Sequence, residues 1–365
     1  MKKHQYADWK LIIVIYLLVS IGILMVYSAS SIWASYRFDD PLYFGKRQLL
    51  FAAVGLIAMF IVSRIPYHTW RNYANHILII CIILLALVLI PGVGLVRGGA
   101  RSWIGVGAFS IQPAEFIKLG LLIFLADRVA ERQKEIVYFK KGFGPMLLLV
   151  FFCFGLIMLQ PDLGTGLILV GSCFTLLFIS GAQIKHFVFL AVLGLAGLTG
   201  LIASAPYRIN RITAFINPWN DPLGNGFQII QSLYAIGPGG LFGLGYGNSL
   251  QKYFYLPEPH NDFIFSIVAE ELGFIGATII LGLFFYLLWK GVQIGLNAPD
   301  KFGSLLAIGI VIQISLQVII NISVVIGLIP VTGITLPFLS YGGSSLTLTL
   351  AAMGIVLNIS RSAHY

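Results

Sequence analysis

The run Leu256-Pro257-Glu258-Pro259-His260-Asn261-Asp262-Phe263-Ile264-Phe265 joins the longest polar interruption of the chain to a stretch, 263–289, that is almost wholly apolar. A helix over that stretch rises about 1.5 Å per residue and crosses a hydrocarbon layer of roughly 30 Å. Comparable runs recur at 11–28, 48–63, 77–95, 112–128, 143–159, 163–181, 186–204, 303–327 and 337–359. Composition agrees with this reading. Of 365 residues, 58% are hydrophobic and 10% charged, where a soluble domain carries about 25% charged residues. The expected fold is an all-α polytopic membrane protein of about ten transmembrane helices, a single membrane domain over 1–365.

An even number of spans puts both termini on one side. With the termini cytoplasmic, fourteen Lys and Arg fall on the inner side and eight on the outer, as the positive-inside rule requires. That placement accounts for the net charge of +9 without nucleic acid. It also makes 205–262 a long extracellular loop between the seventh and eighth helices. The run Leu11 to Tyr27 is longer than the apolar core of a secretory signal, so it reads as a retained first helix. Cys81, Cys153 and Cys173 lie in apolar spans without metal-ligand spacing and read as small core residues.

The outer cations cluster near helix ends: Lys46-Arg47, Arg97 with Arg101, and Arg208 with Arg211. Four helices start on the same face. Gln112-Pro113, Gln160-Pro161-Asp162 and Leu336-Pro337 open spans four, six and ten, and Asn261-Asp262 opens span eight. Proline in the first turn is ordinary helix-start chemistry. Four N-termini beside arginines nevertheless make a place to hold a phosphate or diphosphate. Arginine grips such oxygens with two prongs, which selects Arg47, Arg101, Arg208 and Arg211.

Within the long loop, Phe227, Ile230, Leu233 and Tyr234 recur at helical spacing and predict a short interfacial helix. The glycines from Gly237 to Gly247 follow no strand and precede no helix, so they are not a dinucleotide fingerprint. A re-entrant or surface-hugging turn is expected there. No Walker-type loop, HExxH motif or Cys/His cluster occurs. Chemistry on the outer face must therefore use a substrate that arrives activated.

Asp262 has two readings. As an N-cap it accepts a backbone N–H from the first turn of span eight. As a general base it takes a proton from a hydroxyl. Glu115 and Lys118 stand three apart in span four, poised to pair or to contact substrate. Glu270 and Glu271 lie two turns into span eight, and at least one needs a polar cavity or a cation.

Several motifs in order resemble the SEDS family (shape, elongation, division and sporulation). They are Lys46-Arg47-Gln48, Arg101-Ser102-Trp103-Ile104, Gln112 to Lys118, Gln160 to Thr165, Pro257 to Phe263, Glu270 to Gly273, and Pro337 to Ser345. The likeness runs from the first span to the last and leans toward the sporulation branch, with the division and elongation branches next. It implies a peptidoglycan glycosyltransferase of the cytoplasmic membrane that polymerises lipid II on the outer face. Asp262 is then the catalytic carboxylate. Arg47, Arg101, Trp103, Glu115, Lys118, Arg208, Arg211, His260, Ser340 and Ser344 contact the undecaprenyl-linked substrate. The resemblance further implies a class B penicillin-binding protein as transpeptidase partner. Asn261 and Ala114 depart from the threonine and serine of many relatives. No cofactor is evident and no metal ligands are assigned, with room left for a divalent cation at the diphosphate. A septal, division-type polymerase is the near alternative. A lipid II flippase and a docking scaffold fit parts of the pattern.

Overall fold

The computed structural model describes residues 7–97, 100–106, 109–203, 215–224 and 226–363. Each of the ten apolar runs falls on a helix. These are α1 Trp9–Phe38, α2 Tyr43–Arg64, α4 Ala74–Leu87, α5 Pro113–Glu131, α6 Gly144–Met158, α7 Leu163–Ile179, α8 Ile184–Ala203, α10 Ile264–Leu296, α11 Lys301–Val325 and α12 Gly343–Ser362. Two short helices, α3 Tyr67–Asn72 and α9 Phe227–Ile236, complete the set. Among the described residues, six helices are long and apolar enough to cross a membrane, α1, α10, α11 and α12 among them. The chain is a multi-pass helical membrane protein.

Small residues set the closest helix contacts, as they do where apolar packing alone drives association. A methyl group at Gly55 of α2 would lie 2.5 Å from Leu350, and one at Gly354 of α12 would lie 2.6 Å from the Met59 carbonyl. These two helices therefore pack almost backbone to backbone.

Helix α10 is broken at Gly273, whose φ of 66° and ψ of −167° lie outside helical space. The glycine turn after α9 fills the break. Leu244 and Gly245 N–H donate to the carbonyls of Glu270 and Glu271, while Phe274 and Ile275 N–H donate to Gly240 and Leu241. Backbone groups freed by the kink are thus paired inside the protein, as lipid demands. The side chains of the same two glutamates anchor the residues that follow. Glu270 accepts from Ser249 Oγ and Leu250 N–H, and Glu271 accepts from Ser28 Oγ and from Lys252 Nζ at 3.2 Å. The cation that Glu270-Glu271 required is therefore Lys252.

Two departures from the sequence reading bear on the site, and two of its candidates are not among the described residues. The span ending near 95 leaves its helix at Leu87, and a small antiparallel sheet follows. Its strands are β1 Gly94–Arg97, β2 Ala100–Val106 and β3 Phe109–Ile111, in that order. Trp103 lies opposite Leu95, and Ile104 opposite both Gly94 and Ile111. The tenth span starts at Gly343, not at Pro337. The Ser340 hydroxyl accepts the Leu336 N–H, and Phe338 takes a φ of 65°, so this segment is a turn. Lastly, Arg208 and Arg211 lie outside the described residues.

Replacing Gly273 by Ala would put a methyl group 2.3 Å from Gly243 N and 2.7 Å from Leu241 O. Backbone strain alone at such a position costs about 1–3 kcal/mol. Gly273→Ala is expected to lower the thermal unfolding midpoint of the detergent-purified protein. Gly282→Ala, whose methyl meets nothing within 4 Å, should leave it unchanged; equal midpoints for the two variants would contradict this junction.

Candidate active site

Three of the four helix starts singled out in the sequence, together with the start of α12 at Gly343, converge on one cavity of about 420 Å³, within the range of small-molecule sites. Helix α5 brings Gln112, Glu115 and Lys118, α7 is entered through Asp162, and α12 contributes Gly343 and Ser345. Asp262 stands just before α10. Arg47 of α2, Trp103 of β2, Gln317 of α11 and the stretch Gly333–Thr335 close the remaining walls.

Asp262 is not a helix cap. The N-cap of α10 is Phe263, and no side chain caps this end. The Asp262 backbone is held instead, its carbonyl accepting from Asn321 Nδ2 at 2.7 Å. The same nitrogen donates to the Ile334 carbonyl at 2.7 Å, tying the acidic loop to the adjoining segment Gly333–Thr335. A Cβ on Gly333 would sit 3.7 Å from Asp262 Oδ2, so backbone lies directly against the carboxylate. Burial, then the charges of Glu258 and Asp162, push the Asp262 carboxyl up to about 6. It is therefore ionised at neutral pH yet far more basic than a solvated aspartate.

The other carboxylates are committed. Asp162 caps α7 through the Thr165 N–H and accepts from Gln112 Nε2 at 2.9 Å. Glu258 accepts from Asn261 Nδ2 at 2.8 Å. Glu115 pairs with Lys118 at 2.8 Å, both buried. Arg47 stacks on the Tyr43 ring at 4.2 Å and, among the described residues, is the cavity cation without a carboxylate partner.

The structure thus brings Arg47, Trp103, Glu115, Lys118 and Asp262 together in the lining and leaves four other sequence candidates out of it. Arg101 lies on β2 with its stem against Gly94. His260 is buried among Trp33, Phe44 and Tyr341, and burial holds its imidazole down at about 4, hence neutral at pH 7. Ser340 closes the turn after Leu336. Ser344 accepts from the Gln112 N–H and donates to the Ser110 carbonyl, pinning α12 to the α5 entrance. The sequence reading passed over Gln317, Asn321 and Glu258. The first two are polar residues one helical turn apart in an apolar span, which is itself the mark of a cavity face.

A many-helix membrane scaffold with a lone basic carboxylate in a ring of helix N-termini defines an enzyme-like cavity protein. Family comparison gives the class a name: residues 8–365 match the family model of cell cycle proteins comprising FtsW, RodA and SpoVE, and the chain belongs to that family. It is 62% identical to the stage V sporulation protein E of Bacillus subtilis over all of this chain and 99% of that one. It is 44% identical to the probable peptidoglycan glycosyltransferase FtsW of Trichlorobacter lovleyi, covering 98% and 95%. Among solved structures, a chain from a peptidoglycan synthase complex that coordinates polymerization and crosslinking superposes with a TM-score of 0.82 at 34% identity, covering 97% and 98%. The rod shape determining protein RodA of Thermus thermophilus superposes with a TM-score of 0.73 at 31% identity, covering 98% of both chains.

Asn321→Leu would strand one buried and one part-buried carbonyl, with the full cost of about 1–3 kcal/mol falling on the buried one. The variant is expected to unfold at a clearly lower temperature than wild type, with Asn321→Asp, which cannot donate, also destabilised. Wild-type midpoints for both would remove Asn321 from its bridging role.

Proposed function

We propose that the chain is a peptidoglycan glycosyltransferase that polymerises lipid II into β-1,4 glycan, with the cavity opening on the outer face of the cytoplasmic membrane. The observation that carries this reading is the Asp262 carboxylate: raised to about 6, free of capping bonds and exposed to the cavity. The naming of FtsW relatives as glycosyltransferases supports it. The 62% identity to a sporulation protein favours spore cortex as the product's destination, with septal wall the alternative.

In this reading Asp262 takes the proton from the 4-hydroxyl of the acceptor GlcNAc. The freed oxygen attacks the anomeric carbon of the donor MurNAc from the face opposite the leaving group. A new C–O bond forms, the bond to the diphosphate breaks, and undecaprenyl pyrophosphate departs with the electron pair. Arg47 and the N–H groups at the starts of α5, α7 and α12 are the donors available to that developing charge. Activation resides in the lipid, so no nucleotide is needed. Among the described residues no three His, Cys, Asp or Glu side chains form a metal-binding group. A class B penicillin-binding protein is the partner this reading calls for, consistent with the synthase complex among the structural relatives.

With purified protein, its transpeptidase partner and lipid II, Asp262→Asn is expected to slow polymerisation by about a hundredfold to ten-thousandfold. Full wild-type polymerisation would overturn the assignment. The base works ionised, so the rate should rise with pH through about 6 and level off above it. Glu258 raises that carboxyl, and Glu258→Gln should move the acidic limb to lower pH; a shift to higher pH would contradict the charge coupling.

A further inference from the structure

A second cleft lies at the opposite end of α5. The first turn of this helix lines the active cavity, and Arg128 is more than three turns further on, roughly 20 Å along the axis. There the end of α5 and the start of α6 enclose about 230 Å³, lined by Phe124, Arg128, Arg132, Lys141, Met146 and Leu149. A more open hollow of about 410 Å³ adjoins it, walled by Phe139, Leu147, Leu148 and Phe151, and Pro145 belongs to both.

Chemistry in this double cleft is graded with depth. Phe124 lies one turn nearer the bilayer centre than Arg128, and Met146 and Leu149 lie inside α6 beyond the lysines. The cations thus form the rim and the apolar side chains the floor. A π-helical turn, Phe139–Phe143, sets the rim's shape. It packs so tightly that a methyl on Gly142 would lie 2.3 Å from the Glu135 carbonyl, leaving Lys140 and Lys141 exposed at the edge. Arg128 is paired with Glu131 at 3.1 Å, and Arg132 stands 3.8 Å from Glu135. Lys140 and Lys141 have no ion pair among the described residues. Between 128 and 141 the chain carries five cations against two carboxylates.

We propose that this cleft binds an anionic phospholipid of the leaflet facing away from the active cavity. The headgroup phosphate sits between Arg132 and Lys141, and an acyl chain runs along Pro145, Leu148 and Phe151. A cationic rim over an apolar trough matches the two halves of such a lipid. Leu148 is 73% exposed, so the trough opens on the lipid-facing surface. A free anion or a soluble acidic peptide would have no use for that part of the site.

The test is native mass spectrometry of the full chain released from bilayers of mixed phosphatidylglycerol and phosphatidylcholine. Wild type is expected to retain phosphatidylglycerol preferentially. The Arg132→Gln/Lys141→Gln double variant should lose about fivefold of that preference for each charge removed. Leu148→Asn, which keeps every cation, should also weaken retention. Lys134→Gln removes the same charge outside the cleft and should retain the wild-type preference. The proposal is overturned by any of three results: equal retention of the two lipids by wild type, a loss in Lys134→Gln as large as in the double variant, or displacement of the lipid by excess inorganic phosphate.

Discussion

One side-chain nitrogen, Asn321 Nδ2, carries much of the architecture of the cavity. It donates to the Asp262 and Ile334 carbonyls, both at 2.7 Å, and so joins two neighbouring non-helical segments that both line the cavity. Irregular backbone among membrane helices is tolerated only where its polar groups are paired within the protein. The same constraint shapes the break in α10, where the glycine turn supplies partners for the backbone around Gly273. The result is a loop whose main chain is fixed while the Asp262 carboxylate is left unbonded. A group meant to take a proton needs that combination of rigid support and a free lone pair.

Electrostatics in the cavity run in two directions. Burial, Glu258 and Asp162 raise the proton affinity of Asp262. Helix N-termini and Arg47 favour negative charge on the opposite walls. In the proposed reaction the first set would strengthen the base, and the second would receive the charge of the departing diphosphate. Lys118 takes a smaller part than its position suggests, because Glu115 already neutralises it at 2.8 Å. Of the described arginines in the cationic rim read from the sequence, Arg47 lines the cavity and Arg101 lies outside its lining with its stem against Gly94.

The membrane spans were legible because hydropathy over a long run depends on composition alone. The convergence of helix starts was legible too, since proline and Asp mark first turns by local chemistry. Pro337 shows the limit of that signal. Its turn is closed by a hydrogen bond from Leu336 to Ser340, and the helix waits until Gly343. Asp262 could be read as cap or base because both roles use the same residue at the same place. Only the path of the backbone, with Phe263 as the N-cap, separates them. The sheet at 94–111 escaped notice because its strands are short and glycine-rich. The Ser340 hydroxyl is taken up by a turn hydrogen bond, and His260 is packed among aromatic rings outside the cavity lining, with its Nδ1 unpaired among the described residues. Gln317 and Asn321 are polar residues four apart in an apolar span, a spacing that puts both on one helix face.

The proposed reaction rests on proton abstraction by a single carboxylate, and the most direct measurement is a structure of the protein holding its lipid-linked acceptor sugar. The acceptor 4-hydroxyl is expected within about 2.6–3.2 Å of an Asp262 oxygen, with the sugar inside the ring of helix N-termini. A bound acceptor whose hydroxyl points to another side chain, or that lies outside this cavity, would contradict it.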